Sequence, residues 1–190
     1  MHEQETFVID IPRISFEQLP EQLRSELDAK YRRLGYLGEF FQVAAHQPDA
    51  LFHFNRFTEA LKDALPQNLV ELLALSLSKW SGNDYERVQH ERLALKLNLP
   101  EEWIRDIERL DPNHTTFLTD EEMAVQRLAL AMAKTQGRDA YDSAQAYRKM
   151  CEPHRLVAVM LTVGRYLAHS AICNTLRFSP PVTSPLSSRP

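Results

Sequence analysis

The chain predicts an all-α fold, a single-domain helical bundle of about six main helices with short ones between them. Three observations carry this reading. Apolar residues recur at helical spacing in one segment after another, the period that gathers side chains on one face. No stretch alternates apolar and polar residues as a half-buried strand does, and strands never alternate with helices. The segments also end at helix-stopping signals: Gly35, Gln47-Pro48-Asp49, Pro66, Ser81-Gly82-Asn83-Asp84, Pro100, Asp111-Pro112-Asn113 and Gln136-Gly137.

Residues 1–14 read as an extended arm, because Phe7 to Ile11 is a lone β-prone run closed by Pro12. It should lie on the body of the protein or on a neighbour. The helical domain spans 15–178. Its first helix begins near Pro20 and Glu21, carries Leu23, Leu27 and Leu34 as its buried stripe, and stops at Gly35. An aromatic-rich piece follows from Tyr36 to Ala45. Leu51, Phe52, Phe54, Phe57, Leu61 and Leu65 then form a broad apolar face ending at Pro66. Glu71 to Leu95 is the centre of the chain. Leu72, Leu73, Leu75 and Leu77 place a core helix there with mostly one buried side, and a second helix starts near Asp84 after the glycine break.

Trp103, Ile104 and Ile107 predict a short helix from Glu101 to Leu110. Thr119 with Glu122 has the form of a capping box and opens a helix with Met123, Leu128, Leu130 and Met132 in the core. Another helix runs from Ala140 to Met150. After Pro153 a long apolar helix extends through Leu176, and Arg165 and His169 within it argue for a buried or interfacial helix rather than a membrane span. Residues 179–190 form a Pro/Ser-rich tail without periodicity, expected to be mobile or held by a neighbouring subunit.

Composition excludes several classes. A net charge of −4 over 190 residues, with both signs dispersed, is not that of a nucleic-acid-binding surface. The basic cluster Lys30-Tyr31-Arg32-Arg33 fits a helix C-terminus, where cations oppose the helix dipole. None of the five glycines builds a dinucleotide or phosphate loop. Two cysteines, Cys151 and Cys173, make no disulfide framework, and the acidic start Met1-His2-Glu3-Gln4-Glu5 lacks the features of an export signal. A cytoplasmic protein is expected, with neither nucleic acid nor membrane as partner. His90-Glu91 lacks the second histidine of a zinc-protease helix, and His46, His53, His114, His154 and His169 share no ligand spacing, so no metal site is expected.

The candidate chemistry lies in the central pair of helices. Glu86 and His90 are four residues apart and share a helix face, within reach of one proton. A helix start favours ionised Glu86, and a carboxylate one turn away favours protonated His90. The same spacing also arises from plain surface electrostatics, worth about 0.2–0.5 kcal/mol. Glu71 among leucines needs a partner against desolvation, and His90 is the natural one, which makes a purely structural hydrogen bond a rival reading. Trp80 and Tyr85 flank the break and are candidates for a pocket lining or for core filling.

The run Ser-Gly-Asn-Asp-Tyr-Glu-Arg-Val-Gln-His-Glu, residues 81–91, resembles the signature of the carboxymuconolactone decarboxylase and alkylhydroperoxidase D superfamily. Glu71 lies upstream where that family has a glutamate. Val163-Gly164 through Tyr166 to Asn174-Thr175-Leu176 resembles its closing helix, and the likeness covers roughly residues 30–178. The resemblance implies an alkylhydroperoxidase D-like bundle and a homo-oligomer, a trimer or hexamer. The redox branch of the family uses a Cys-x-x-Cys pair, and the matching positions here are Asn83 and Glu86. Without thiols there, peroxidase chemistry is not expected, since the thiolate is the nucleophile. The decarboxylase branch acts on an unsaturated lactone acid without metal or organic cofactor. The resemblance therefore implies acid–base chemistry on a small organic acid or lactone, with Glu71, Glu86 and His90 as catalytic residues, Trp80, Asn83 and Tyr85 as substrate-binding residues, and no cofactor. The alternative is a non-catalytic oligomerisation or binding module with a vestigial pocket.

Overall fold

A computed structural model describes residues 9–187, and among these it contains nine α-helices and no strand. The helices are α1 (Glu21–Leu34), α2 (Glu39–Ala44), α3 (Pro48–Ala64), α4 (Gln67–Ser81), α5 (Asp84–Lys96), α6 (Glu101–Glu108), α7 (Asp120–Thr135), α8 (Tyr141–Arg148) and α9 (Pro153–Thr175). The chain groups into two compact units, the first ending at Arg56 and the second beginning at Phe57.

In the first unit, α1 buries Leu23 and Leu27 and leaves Leu34 only half-buried. It stops at Gly35, whose φ of 80° is the left-handed cap that a side chain resists. The expected piece from Tyr36 narrows to α2, one and a half turns behind Gly38. Of the expected arm, residues 1–8 lie outside the described residues. Residues 12–14 lie along α2: the Ile14 N–H donates to the Gln42 carbonyl, His46 Nε2 is 2.8 Å from the Pro12 carbonyl, and Arg13 pairs with Glu39.

The second unit is built round α4. Every residue from Leu69 to Ser78 is buried, so the helix is enclosed on all sides rather than on one. The cause is tertiary, since α5, α6, α7 and α9 all pack against it. Leu72, Leu73, Leu75 and Leu77 are fully buried, and each contributes about 2 kcal/mol of apolar transfer. Enclosure forces the polar side chains of α4 to find partners. Ser78 donates to the Ala74 carbonyl at 2.6 Å, and Ser76 accepts from buried Gln126 at 3.0 Å.

Gly82, at φ 67°, ends α4, and Asn83 caps α5 by accepting the Glu86 N–H. On α7 the Thr119/Glu122 capping box is formed. By length and hydropathy α9 qualifies as a membrane span, yet its inner face packs on α4 and α7 and buries Val159, Val163, Tyr166 and His169. The described part of the tail is held by its own chain. The Ser184 hydroxyl donates to the fully buried Glu91 carboxylate, Leu186 packs on the core, and Phe178 stacks obliquely on Tyr85. A buried carboxylate in need of donors and an apolar anchor fasten a segment whose composition alone forecasts looseness.

Candidate functional site

Glu71 enters the site from the second turn of α4, and Glu86 and His90 from successive turns of α5. The structure brings these three together. His90 Nδ1 is 2.7 Å from Glu71 Oε2, and His90 Nε2 is 3.8 Å from Glu86 Oε1. All three side chains are nearly buried, with 11% of His90 and 9% of Glu71 left exposed. One face of the imidazole edge meets the Tyr166 ring, 5.7 Å between centroids.

Helix α9 adds two members that sequence reasoning did not assign to the site. Arg165 donates from Nη1 to Glu86 Oε1 at 2.8 Å and from Nε to Thr58 Oγ1 at 3.2 Å, and its guanidinium lies over the Tyr166 ring at 4.4 Å. His169, one turn on, places Nδ1 2.8 Å from Glu86 Oε2. That contact is close but poorly aligned, so Oε2 has no well-directed donor. The signal in the sequence was the pair Arg165 and His169, one turn apart in an apolar helix. Ionisable groups in such a setting need buried partners.

The cluster thus sets two acidic side chains against two basic ones and a second imidazole. Burial opposes the charge on Glu86, but His169 and Arg165 beside it hold its carboxyl well below the usual carboxylate range. Burial likewise works against charged His90, yet Glu71, with help from Glu86, raises it to about 9. His169 behaves oppositely. Its burial, reinforced by the nearby Arg165 and His90, outweighs Glu86 and holds the ring below its ordinary value. At neutral pH the cluster therefore contains one protonated and one neutral imidazole, separated in acidity by their surroundings.

The expected substrate-binding residues are placed less uniformly. Asn83 is buried, caps α5 and donates from Nδ2 to Ser170 Oγ at 3.1 Å. Tyr85 is buried between His169 and Phe178. Trp80 sits on the last turn of α4 with 37% of its surface exposed. Beside the cluster, Thr58, Leu61, Lys62, Val70, Thr162, Arg165 and Tyr166 enclose a recess with about 200 Å³ of empty space, part of it open to solvent. None of the six residues expected from sequence lines it.

The two thiols are placed differently. Cys173 is 1% exposed, and its Sγ lies beside the His169 ring, 3.5 Å from Nδ1 and 3.9 Å from Nε2, so the thiol is closed off from solvent. Cys151 precedes α9, on the order of 30 Å along the helix from Cys173 by the helical rise. Among the described residues no cluster of His, Cys, Asp and Glu is arranged to hold a metal ion.

No family model matches the sequence. No curated protein matches it either. Solved structures do. An uncharacterized peroxidase-related protein from Ralstonia eutropha JMP134, described as an alkylhydroperoxidase AhpD core, superposes with a TM-score of 0.76 at 17% identity, over 89% of this chain and 90% of that one. A protein of unknown function from Agrobacterium tumefaciens, suggested to be the antioxidant defence protein AhpD, superposes with a TM-score of 0.63 at 20% identity, over 74% of this chain and 96% of that one. The first superposition spans about nine-tenths of both chains, and the fold follows from it: this chain has the alkylhydroperoxidase D-like all-helical fold.

Proposed function

We propose that the chain performs acid–base chemistry on a small organic acid or lactone, in the manner of the carboxymuconolactone decarboxylases, with Glu71, Glu86 and His90 as its working groups. The observation behind this reading is a protonated imidazole held between two carboxyl groups in a nearly dry cluster. Such clusters are costly to keep for stability alone, since apolar residues of equal volume pack as well or better. His90 is the proton donor. When a substrate carboxylate leaves as carbon dioxide, the electron pair remaining on carbon takes the His90 proton, and water later restores it. Glu71 orients the ring, and Glu86, fixed by Arg165, faces the ligand and favours the charged form.

A thiol peroxidase is disfavoured by Asn83 and Glu86 at the family's cysteine positions and by the burial of Cys173. The second reading, a non-catalytic assembly module, is favoured by the small size of the recess beside the cluster. In either case we expect a cytoplasmic homo-oligomer, a trimer or hexamer. Support comes from α9, whose Val157, Leu161 and Ile172 are each more than 40% exposed.

The test is turnover of an unsaturated γ-lactone bearing a carboxylate, followed by release of carbon dioxide. The expected result is activity in the wild type that His90→Gln removes while the protein stays folded. Full activity in His90→Gln rejects the assignment, and a stable oligomer with no turnover of such acids favours the assembly module.

A further inference from the structure

The recess beside the cluster has walls from three helices. Thr58, Leu61 and Lys62 share one face of α3, Val70 comes from α4, and Thr162, Arg165 and Tyr166 come from α9. Two of these seven residues are cations, none is acidic, and Leu61 and Val70 supply apolar surface. We propose that this recess is a carboxylate-anchoring subsite, in which Lys62 and Arg165 hold a carboxylate that a small organic acid retains through the reaction, separate from the one it loses as carbon dioxide. The inference rests on the acid–base reading above and adds to it a binding determinant, Lys62, outside the Glu71–Glu86–His90 cluster.

Each cation has a distinct part. Arg165 is nearly buried and oriented by Glu86, Thr58 and the Tyr166 ring, so little ordering is required of it when an anion arrives. Lys62 is less enclosed. Among the described residues its ion pair is with Glu59, three residues away on the same helix, through side chains that are 35% and 45% exposed. A pair of that kind contributes little and is readily exchanged for a ligand. Space limits the ligand. The innermost part of the recess has room for about one water-sized group, so no more than the tip of a small polar head enters it and the body of the acid extends outward. Position does the rest, because the same guanidinium that lines the recess bonds Glu86, and the Tyr166 ring that lines it abuts His90. A carboxylate seated there brings its acid to the edge of the proton-bearing cluster.

The test is calorimetric titration of the full chain with γ-butyrolactone-γ-carboxylate, with neutral γ-butyrolactone and inorganic phosphate as comparisons. Lys62→Met should weaken the carboxylate about tenfold, the size of one charge-assisted hydrogen bond, and Lys62→Arg should restore most of it. Neutral lactone should bind no better than the carboxylate binds to Lys62→Met. The proposal is overturned by absence of carboxylate binding, by equal affinity in Lys62→Met, by equal affinity for the neutral lactone, or by phosphate binding as tightly. Lys62-dependent binding without turnover leaves the subsite standing and rejects the acid–base reading, whereas turnover with Lys62-independent binding does the reverse.

Discussion

The charge on His90 should make the protein lose stability as the solution becomes alkaline. In the folded chain the imidazole titrates at about 9, against an ordinary 6.5, because Glu71 at 2.7 Å and Glu86 at 3.8 Å overcome the effect of burial. Each tenfold change in acidity is worth about 1.4 kcal/mol, so the protonated ring contributes about 3 kcal/mol. Since the folded value is raised, that contribution is fully present below the unfolded value and declines as pH rises through the folded one. Urea melts of wild type and His90→Gln, taken from about pH 6 to about pH 10 at constant ionic strength, isolate it. The difference in unfolding free energy between the two should shrink by about 3 kcal/mol across that window, with the other titrating groups cancelling. Parallel profiles would refute the reasoning, because they would mean that His90 is not charged in the folded cluster.

Three further outcomes follow from the same structure. Arg165→Met leaves Glu86 buried without its guanidinium and should lower the unfolding free energy by about 3–5 kcal/mol in denaturant melts, more than a surface arginine would cost. Replacing either cysteine by serine should leave any peroxide consumption of the purified protein at the level of the wild type, as a coupled peroxide assay would show; consumption abolished by Cys173→Ser would overturn the view that the thiol is core filling. Leu161→Glu, in the middle of the exposed face of α9, should shift light-scattering mass to the monomer at micromolar concentration, and an unchanged mass would remove α9 from the interface.

Local signals in the sequence were enough for the helical class and for most element boundaries. Gly35 and Gly82 in left-handed caps, Asn83 as an N-cap and the Thr119/Glu122 box act within one turn of the chain, so their chemistry is legible residue by residue. The Glu86–His90 spacing is legible for the same reason, since helical geometry alone stacks residues four apart. What surrounds an element is not encoded in its own periodicity. Only the packing of four helices round α4 decided that Leu69 to Ser78 is buried on every side, and only the approach of α9 brought Arg165 and His169, about 80 residues away in sequence, onto Glu86. That approach also set the acidities. A carboxyl that burial alone would neutralise stays charged beside His169 and Arg165, and two histidines of the same intrinsic acidity are pushed apart because Glu71 overcomes burial at one, while at the other burial, with Arg165 and His90 adding to it, prevails over Glu86. The tail shows the same division: its proline-rich composition speaks for looseness, but the position of a buried Glu91 in need of a donor is a property of the fold.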